Sequence, residues 1–397
     1  MLSTRTNDNR RTWALTTSRV VSYEVIETSN LFDPTNTALL VGGSGKTMRR
    51  IIVIDEVVHK IWAEQIDAYF KHHKVDYRVI PVEATEKNKS FELFYQIARE
   101  FDAFRLDRRN EPVIAIGGGV LTDVVSMVAS CYRRGTPCIR VPTTLMGYVD
   151  AAIGIKTAVN FDSNKNRIGT FAEPFAVILD RAFLKTLPMR HILNGVGEIA
   201  KMALIRDNDL FELLESQGRH AVTNRFQNSG EEILRRAIHG MLEELEPNLF
   251  EDNLERAVDY GHTFSPLLEM RDIDNLLHGE AVAIDCAFSV VLSQLRGLIS
   301  SFTANRVLAM MHNVGLPIYH PELDAEMCWH SLEERTNHRG GLQRVPLINA
   351  IGRVQFANDI TRAELERAVH VWQERCTGLN AARHESRRTS ADNVFGE

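Results

Sequence analysis

The sequence contains no run of about 18 consecutive apolar residues, the length that a membrane-spanning helix requires. A surplus of positive charge is also missing, because 46 Lys and Arg face 52 Asp and Glu and the net charge is −6. Nucleic-acid-binding proteins usually carry a basic surplus. The N-terminus is charged and lacks the apolar stretch of a signal peptide. We therefore predict a protein that binds neither membranes nor nucleic acids.

Cysteine is scarce, with five residues in a chain of 397 and no C-x-x-C pair. An odd number without such pairs argues against a disulfide framework and against a thiolate zinc site. A reducing compartment suits this composition, and we expect a cytoplasmic protein.

Short apolar runs alternate with helix-like segments in the first half of the chain. The runs rich in Val and Ile are Arg49–Glu56, Val75–Glu83, Glu111–Gly119, Cys138–Thr144 and Phe175–Asp180, and the helix-like segments are Ile61–His73 and Ser90–Phe104. Continuous apolar strands that alternate with helices predict a parallel sheet covered on both faces.

The sequence changes character near residue 190, where helical periodicity replaces the short apolar runs. We place the domain boundary in the segment Leu187–His191. This predicts an α/β domain over residues 1–188 and an α-helical domain over residues 189–380. The polar remainder, residues 381–397, is predicted to be a disordered tail.

Three consecutive glycines, Gly117–Gly119, join a predicted strand to a predicted helix. Such a turn lets the backbone approach a phosphate at the N-terminus of the helix. Taken alone, the glycines fit a tight strand-to-helix turn equally well. Asp55 ends an earlier strand, where a carboxylate can bind a ribose diol, and Thr143 and Thr144 end a later one. Because ligands of open α/β sheets bind at the carboxyl ends of the strands, these residues favour a nucleotide site.

Seven sequence blocks stand in a recognisable order along the chain. They are GGGVLTD (Gly117–Asp123), RRGTPCIRVPTTLMGYVDAAIGIKTAVN (Arg133–Asn160), KNRIGTF (Lys165–Phe171), DRAFLKTLP (Asp180–Pro188), NGVGEIAKMAL (Asn194–Leu204), DYGHTF (Asp259–Phe264) and LHGEAVAID (Leu277–Asp285). In these blocks the chain resembles the sugar phosphate cyclases, the dehydroquinate synthase superfamily. The resemblance implies a Rossmann-like N-terminal domain, an α-helical C-terminal domain, tightly bound NAD, a catalytic divalent metal between the domains, and a homodimer.

The resemblance places most NAD contacts on the N-terminal domain. By position they are Asp55, Glu86, Lys89, Gly117, Gly118, Gly119, Val120, Leu121, Thr122, Asp123, Thr143, Thr144, Lys156, Lys165, Phe183, Thr186 and Leu187. Lys156 and Lys165 match two lysines that lie between the cofactor and the substrate in this superfamily.

The family pattern assigns three metal ligands, Glu198, His262 and His278. One carboxylate and two imidazoles suit a catalytic Zn²⁺, or Co²⁺, with open positions for substrate oxygens. From the residues alone the assignment is open, since their spacing matches no metal signature and a histidine in a helical region is more often structural. The local sequence favours a ligand role, because His262 lies in a glycine-flanked turn and His278 directly precedes Gly279 at the predicted start of a helix.

The resemblance implies that a sugar phosphate is transiently oxidised by NAD, loses phosphate, is reduced again and closes to a carbocycle in an aldol step. It assigns catalytic roles to Lys156, Asp150, Lys201, Asp259 and His338, and substrate or phosphate contacts to Arg134, Lys165, Asn166 and Arg339. Arg134 would act in its own chain or reach a neighbouring subunit. The alternative for any one lysine is a solvated surface charge, and for Asp150 it is a helix cap.

The residues around His262 differ from those of dehydroquinate synthases, whose substrate carries a carboxylate. Those enzymes have Arg, Asn and His at the positions of Glu255, Asp259 and Pro266, and the preceding stretch EELEPNLFED contains no Lys or Arg. A buried unpaired anion costs several kcal/mol, so acidic side chains here disfavour a substrate carboxylate. Arg256, one position away, keeps a carboxylate-binding role open.

The motifs around Asp259 and His338 resemble the branch that cyclises sedoheptulose 7-phosphate to 2-epi-5-epi-valiolone, which has Asp and His at these positions. Desmethyl-4-deoxygadusol synthases carry Ala and Thr there and use the same substrate. The alternative products within the family are therefore desmethyl-4-deoxygadusol, 2-epi-valiolone and 3-dehydroquinate. From other classes, the alternatives are an NAD- and metal-dependent polyol dehydrogenase, which would reduce NAD in net turnover, and a catalytically inactive member.

Overall fold

A six-stranded sheet organises the first half of the chain in the computed structural model, which describes residues 2–7, 10–42, 48–162 and 164–376. In spatial order its strands are β3 (Glu24–Thr28), β10 (Ala176–Asp180), β7 (Cys138–Pro142), β6 (Val113–Gly117), β4 (Arg49–Asp55) and β5 (Asp76–Val82). Every neighbouring pair is parallel. The predicted α/β class is confirmed, with β3 as an edge strand that the sequence pattern missed.

Three helices cover the sheet, namely α1 (Glu56–His72), α2 (Phe91–Ala103) and α3 (Gly119–Cys131). Alternate residues of β4 enter two separate apolar cores. Ile51 and Val53 pack with the residues of α2 and α3, while Ile52 and Ile54 pack with those of α1. Burial on both faces explains why the strands are continuous apolar runs.

Three antiparallel hairpins in the described residues were not predicted. They are β1–β2 (Leu2–Asn7 and Arg10–Leu15), β8–β9 (Lys156–Phe161 and Asn164–Phe171) and β11–β12 (Val345–Ala350 and Arg353–Ala357). The β8–β9 hairpin carries the predicted site residues Lys156, Lys165 and Asn166. Polar residues dominate β9, which is why the apolar pattern gave no sign of it.

The second half of the chain is mainly helical, as predicted. Its helices are α4 (Met189–Ile205), α5 (Asn208–Thr223), α6 (Glu231–Leu245), α7 (Ser265–Arg271), α8 (His278–Leu295), α9 (Ser301–Val314), α10 (Ala325–His338) and α11 (residues 362–376). None of the helices in the described part of the chain is both long and apolar enough to cross a membrane.

Helix α8 lies at the centre of the helical half. Residues 281–293 of this helix are buried without interruption, and α4 is equally buried from Gly195 to Ile205. The division into domains at residues 188 and 189 stays a prediction, although α4 begins at Met189. The predicted tail, residues 381–397, lies outside the described residues.

Candidate active site

The helices α4 and α8 approach each other through two glycines. A Cβ atom on Gly197 would lie 2.3 Å from the carbonyl oxygen of Gly279, so only glycine permits this approach. The side chain of Asn194 accepts a hydrogen bond from the Gly279 amide at 2.7 Å. Because Glu198 follows one glycine and His278 precedes the other, the contact holds these two side chains next to each other.

The structure brings Glu198, His262 and His278 together. One potential ligand atom from each residue lies within 4.8 Å of the other two. The Nε2 atoms of His262 and His278 lie 3.6 Å and 3.5 Å from Oε1 of Glu198. Glu198 is fully buried, and neither of its oxygens accepts a well-directed hydrogen bond from the residues that the structure describes. A buried carboxylate in this condition, facing two imidazoles, fits a catalytic Zn²⁺ or Co²⁺.

The loop between α6 and α7 fixes the orientation of His262. The Nδ1 atom of His262 lies 3.1 Å from the carbonyl oxygen of Tyr260, which leaves Nε2 directed at Glu198. Beyond the histidine, the buried carboxylate of Asp285 accepts hydrogen bonds from the backbone amides of Phe264 and Ser265 at 2.6 Å and 2.9 Å. A side chain of α8 therefore anchors the loop that carries one predicted ligand.

The charges of this cluster are tightly linked. Burial alone would raise the pKa of Glu198, but Lys201 and the two histidines hold it well below its ordinary value. Burial and the nearby Lys201 lower the pKa of His262 to about 3, so this imidazole is neutral and able to bind a metal. Burial opposes protonation of His278, yet Glu198 and Glu269 raise its pKa to about 10. Metal binding at His278 would therefore release a proton.

Lys201 and Asp150 lie beside the three predicted ligands. Lys201 forms an ion pair with Glu198 one helical turn along α4, and both side chains are buried. Asp150 belongs to a π-helical turn, Gly147–Ala151. Burial and the negative charge of Glu198 raise the pKa of Asp150, so its carboxyl group holds a proton more readily than an exposed aspartate. The helix-cap alternative for Asp150 is not observed, because it lies inside the turn.

Replacing Gly197 with alanine is expected to lower zinc affinity about 10- to 100-fold, the range observed when the support of a metal ligand is removed. The added methyl group forces α4 away from α8 and separates Glu198 from His278. Zinc affinity is measured by competition with a chromophoric chelator. Gly240→Ala is the matched control, since a Cβ there would meet only Met202 at 3.4 Å. Equal affinities in the two variants would contradict this account of the helix contact.

The glycine turn lies at the carboxyl end of the sheet, as predicted. Strand β6 ends at Gly117 and α3 begins at Gly119, with Gly118 at the N-cap position. A Cβ on Gly118 would lie 3.0 Å from Cγ2 of Thr144, and the Thr143 amide donates to the carbonyl oxygen of Gly117 at 2.9 Å. The amide groups of the first turn of α3 are directed outwards from this compact turn, which suits a phosphate group.

Lys89 connects several of the predicted cofactor residues. Its Nζ atom lies 2.6 Å from Oδ2 of Asp123 and also donates to the side-chain oxygen of Asn166. The side-chain Nδ2 of Asn160 donates to Oε1 of Glu86 at 2.9 Å, and its side-chain Oδ1 accepts from the backbone amide of Asn166 at 2.9 Å. These bonds attach the β8–β9 hairpin to the region of the glycine turn.

Two other predicted cofactor residues have structural roles. Asp55 caps α1, since its Oδ1 accepts hydrogen bonds from the amides of Val57 and Val58, and this explains why α1 begins before the predicted Ile61. Phe183 is buried and packs against Trp62, with ring centroids 5.1 Å apart. A contact of Phe183 with the cofactor would have to use its backbone. Thr186 follows as an exposed residue, and Leu187 is half-buried against the apolar core.

Three arginines surround Asp259. Arg339, Arg256 and Arg335 approach its Oδ2 atom to 2.5 Å, 3.2 Å and 3.4 Å. Burial would raise the pKa of Asp259, but the guanidinium groups hold it well below its ordinary value. The expectation that unpaired negative charge at Asp259 repels a substrate carboxylate is therefore wrong. The paired cluster has a positive surplus and gives no such repulsion.

Three carboxylates in the acidic stretch before Asp259 also pair with cationic side chains. Glu251 lies 2.8 Å from Nζ of Lys156 and is also paired with Arg256, while Glu243 and Glu244 are both paired with Arg206. Lys156 keeps 64% of its side chain exposed at the edge of the β8–β9 hairpin.

Arg134 lies far from the glycine turn, and His338 is exposed. Arg134 follows the C-terminus of α3, whereas the glycine turn is at its N-terminus, and 13 helical residues separate the two ends by about 20 Å. In a single chain Arg134 is therefore not part of the site. His338 is the exposed last residue of α10, next to Arg339 in the chain.

Two family models match consecutive parts of the chain. The model of the 3-dehydroquinate synthase N-terminal region matches residues 79–194, and that of the C-terminal region matches residues 195–336. Together they cover more than half of the sequence. The chain belongs to the 3-dehydroquinate synthase family.

Within this family, the chain is similar to several cyclases. The 2-epi-5-epi-valiolone synthase of Streptomyces albus is 47% identical over 376 residues, which cover 92% of each chain. That of an Actinomyces species is 45% identical over 372 residues, covering 91% of this chain and 98% of the relative. The demethyl-4-deoxygadusol synthase of Trichormus variabilis is 38% identical and covers 90% of this chain and 89% of its own length.

Solved structures of related cyclases show the same fold. The 2-epi-5-epi-valiolone synthase ValA of Streptomyces hygroscopicus, solved with NAD⁺ and Zn²⁺ bound, superimposes with a TM-score of 0.87 at 43% identity. The match covers 91% of this chain and 100% of ValA. A 2-deoxy-scyllo-inosose synthase with NAD⁺ and Co²⁺ gives a TM-score of 0.73 at 19% identity, covering 93% and 99% of the two chains, which shows a shared fold.

Two residues that we did not predict from the sequence contact the predicted site residues of this chain. Glu269 lies on α7 and binds both His278 and Lys165. Arg335, on α10, donates to the carbonyl oxygen of His262 at 3.3 Å and reaches Asp259. The sequence carries no signal for Glu269, because Lys165 approaches it from the other half of the chain. For Arg335 the sequence holds no signal, because α10 is far from both partners in the chain.

Proposed function

We propose that the chain is a sugar phosphate cyclase that converts sedoheptulose 7-phosphate to 2-epi-5-epi-valiolone and phosphate, with NAD and Zn²⁺ as cofactors. The observation that carries this proposal is the identity of 45% and 47%, over more than nine tenths of the chain, to two enzymes named 2-epi-5-epi-valiolone synthase. The buried carboxylate and two imidazoles support it, since they suit the Zn²⁺ that ValA holds.

Glu198, His262 and His278 would hold the metal, and the turn Gly117–Gly119 with Asp123 would hold the cofactor. When bound, the ion supplies Lewis acidity for substrate hydroxyls and NAD supplies a reversible hydride acceptor. Asp150, with its raised pKa, is placed to hold or move a proton beside the metal ligands. Lys201 keeps a positive charge next to Glu198 and can donate to a substrate hydroxyl.

Phosphate needs cationic partners, and the β8–β9 hairpin carries two lysines, Lys156 and Lys165. Lys165 and Asn166 would bind the phosphate together with Arg339, and Lys156 would lie between cofactor and substrate. Arg134 can join them only from a second copy of the chain, so we propose a homodimer in which Arg134 of one protomer completes the site of its partner. The five free thiols suit a reducing compartment, and we place the enzyme in the cytoplasm.

The identity of the product depends on the region of Asp259 and His338. We propose that Asp259, held in place by its arginines, and the exposed His338 orient the substrate so that ring closure gives the valiolone isomer. The runner-up is demethyl-4-deoxygadusol, since a synthase of that name is 38% identical over 90% of the chain.

Incubation of the protein with NAD, Zn²⁺ and sedoheptulose 7-phosphate is expected to release one phosphate per cyclitol formed, without net formation of NADH. Phosphate is followed colorimetrically, the cyclitol by NMR spectroscopy and NADH by its absorbance. A parallel incubation uses 3-deoxy-arabino-heptulosonate 7-phosphate, the precursor of 3-dehydroquinate. Turnover of only this second substrate would refute the proposal. Accumulation of NADH would instead indicate a polyol dehydrogenase.

A further inference from the structure

The carboxylate of Glu269 binds two different cationic groups. Its side chain is 8% exposed and lies on α7, between the loop of His262 and the start of α8. Oε2 lies 3.2 Å from Nδ1 of His278, and Oε1 forms an ion pair with Nζ of Lys165. Both oxygens are thus used, each by a residue with a predicted role in the site.

We propose that Glu269 is a positioning residue. One carboxylate oxygen fixes the imidazole of His278 as a metal ligand, and the other holds the ammonium group of Lys165 beside the metal ligands. The role for Lys165 rests on the proposed function, whereas the role for His278 needs only the metal site. Glu269 is not one of the three residues whose ligand atoms come together, and in this proposal it acts through His278 and Lys165.

The geometry at His278 supports the first half of this proposal. When Nδ1 carries a hydrogen and donates it to Glu269, the lone pair of the ring is on Nε2, the atom that faces Glu198 at 3.5 Å. The carboxylate thereby selects the metal-binding tautomer and prevents rotation of the ring. Outer carboxylates of this kind also make a ligating imidazole more basic.

The location of Lys165 supports the second half. Lys165 belongs to the β8–β9 hairpin of the N-terminal half, while Glu269 belongs to the helical half. Their ion pair is therefore a direct polar link between the two halves of the chain. Glu86 lies 4.0 Å from the same Nζ atom, so Lys165 is held between a residue of the predicted cofactor site and a residue of the metal site.

Glu269→Gln tests the proposal, because glutamine keeps the size of the side chain and removes its charge. We expect the affinity for Zn²⁺ to fall about 10- to 100-fold, the range typical for loss of an outer-shell partner. The absorption spectrum of the Co²⁺-loaded protein should change as well, since the imidazole is no longer held. Zinc affinity is measured without substrate by chelator competition, so its outcome does not depend on the proposed function.

Two further variants and one unfolding measurement serve as controls. Glu244→Gln removes a carboxylate of similar exposure that pairs with Arg206 away from the site, and it should leave zinc affinity unchanged. Lys165→Met should also leave zinc affinity within about threefold of the wild type, because the bond between Glu269 and His278 persists. Thermal unfolding of each variant reports whether the fold is retained.

The outcomes separate the two proposals. Wild-type zinc affinity and an unchanged Co²⁺ spectrum in Glu269→Gln would overturn the positioning role. If that variant does not fold, Glu269→Met replaces it, since methionine has a similar length but no oxygen to accept a hydrogen bond from His278, and wild-type zinc affinity there would likewise overturn the role. If Glu269→Gln loses zinc affinity while the wild-type protein turns over only a substrate other than sedoheptulose 7-phosphate, the positioning role stands and the proposed function is refuted.

Discussion

Replacing Glu198 with glutamine is expected to abolish zinc binding at micromolar concentrations and to reduce turnover about a thousandfold or more. The carboxylate is the only anionic member of the three predicted ligands and is fully buried between two imidazoles. Loss of Lewis-acid assistance removes several kcal/mol of transition-state stabilisation, and about 1.36 kcal/mol corresponds to each factor of ten. Zinc content after dialysis and the rate of phosphate release measure the two effects.

The buried Lys201 complicates this experiment, because it loses its ion-pair partner in Glu198→Gln. Asp150 remains nearby as a carboxyl group that can take up the negative charge. Thermal unfolding and NAD binding therefore have to accompany the metal measurement. Glu215→Gln, which removes an ion-paired carboxylate on α5, is the control and should retain zinc and turnover. Stoichiometric zinc in folded Glu198→Gln would show that the ligand set is wrong.

Replacing Asp259 with alanine is expected to destabilise the protein by about 3–5 kcal/mol, the cost of removing one partner from a buried ion pair. Three guanidinium groups, those of Arg256, Arg335 and Arg339, lose the carboxylate that they share. Arg335 also bonds to the carbonyl oxygen of His262, so the disturbance should extend to the metal site. Urea denaturation gives the free energy of unfolding. Asp76→Ala, which removes an exposed carboxylate paired with Arg49, should change it by less than about 1 kcal/mol.

The double variant Asp259→Ala with His338→Thr tests which residues determine the product. We expect the double variant to lose the formation of 2-epi-5-epi-valiolone or to form another cyclitol from sedoheptulose 7-phosphate. Asp259→Asn with His338→Thr separates this effect from instability, since asparagine still accepts hydrogen bonds from the arginines. NMR analysis identifies the cyclitol. An unchanged product in both double variants would show that these residues do not determine it.

The sequence predicts much of the sheet and of the metal site, for two different reasons. The strands β4, β6 and β7 are buried on both faces, so their composition is mainly apolar. Glu198, His262 and His278 stand in distinctive blocks that resemble a known family. By contrast, strand β9 of the β8–β9 hairpin is mainly polar and exposed, so its sequence pattern does not differ from that of a loop.

The error about Asp259 has a physical origin. Charge along the chain predicts local electrostatic potential only when the neighbours in space are also neighbours in sequence. Two of the three arginines around Asp259 come from α10 and the residue that follows it, about 80 positions away. The acidic sequence before His262 therefore does not by itself predict the net charge around Asp259. Glu269 was missed for a related reason, since Lys165 approaches it from the other half of the molecule.

The buried stretches of α4 and α8, residues 195–205 and 281–293, have a kinetic consequence for the metal. Amide groups in such helices exchange their hydrogens only when most of the fold opens, whereas loops open far more often. Glu198 lies within the buried stretch of α4, whereas His278 is the first residue of α8 and His262 belongs to a loop secured by Asp285 and Arg335. We therefore expect the residence time of a bound ion to follow the opening of this loop and of the start of α8 rather than global unfolding.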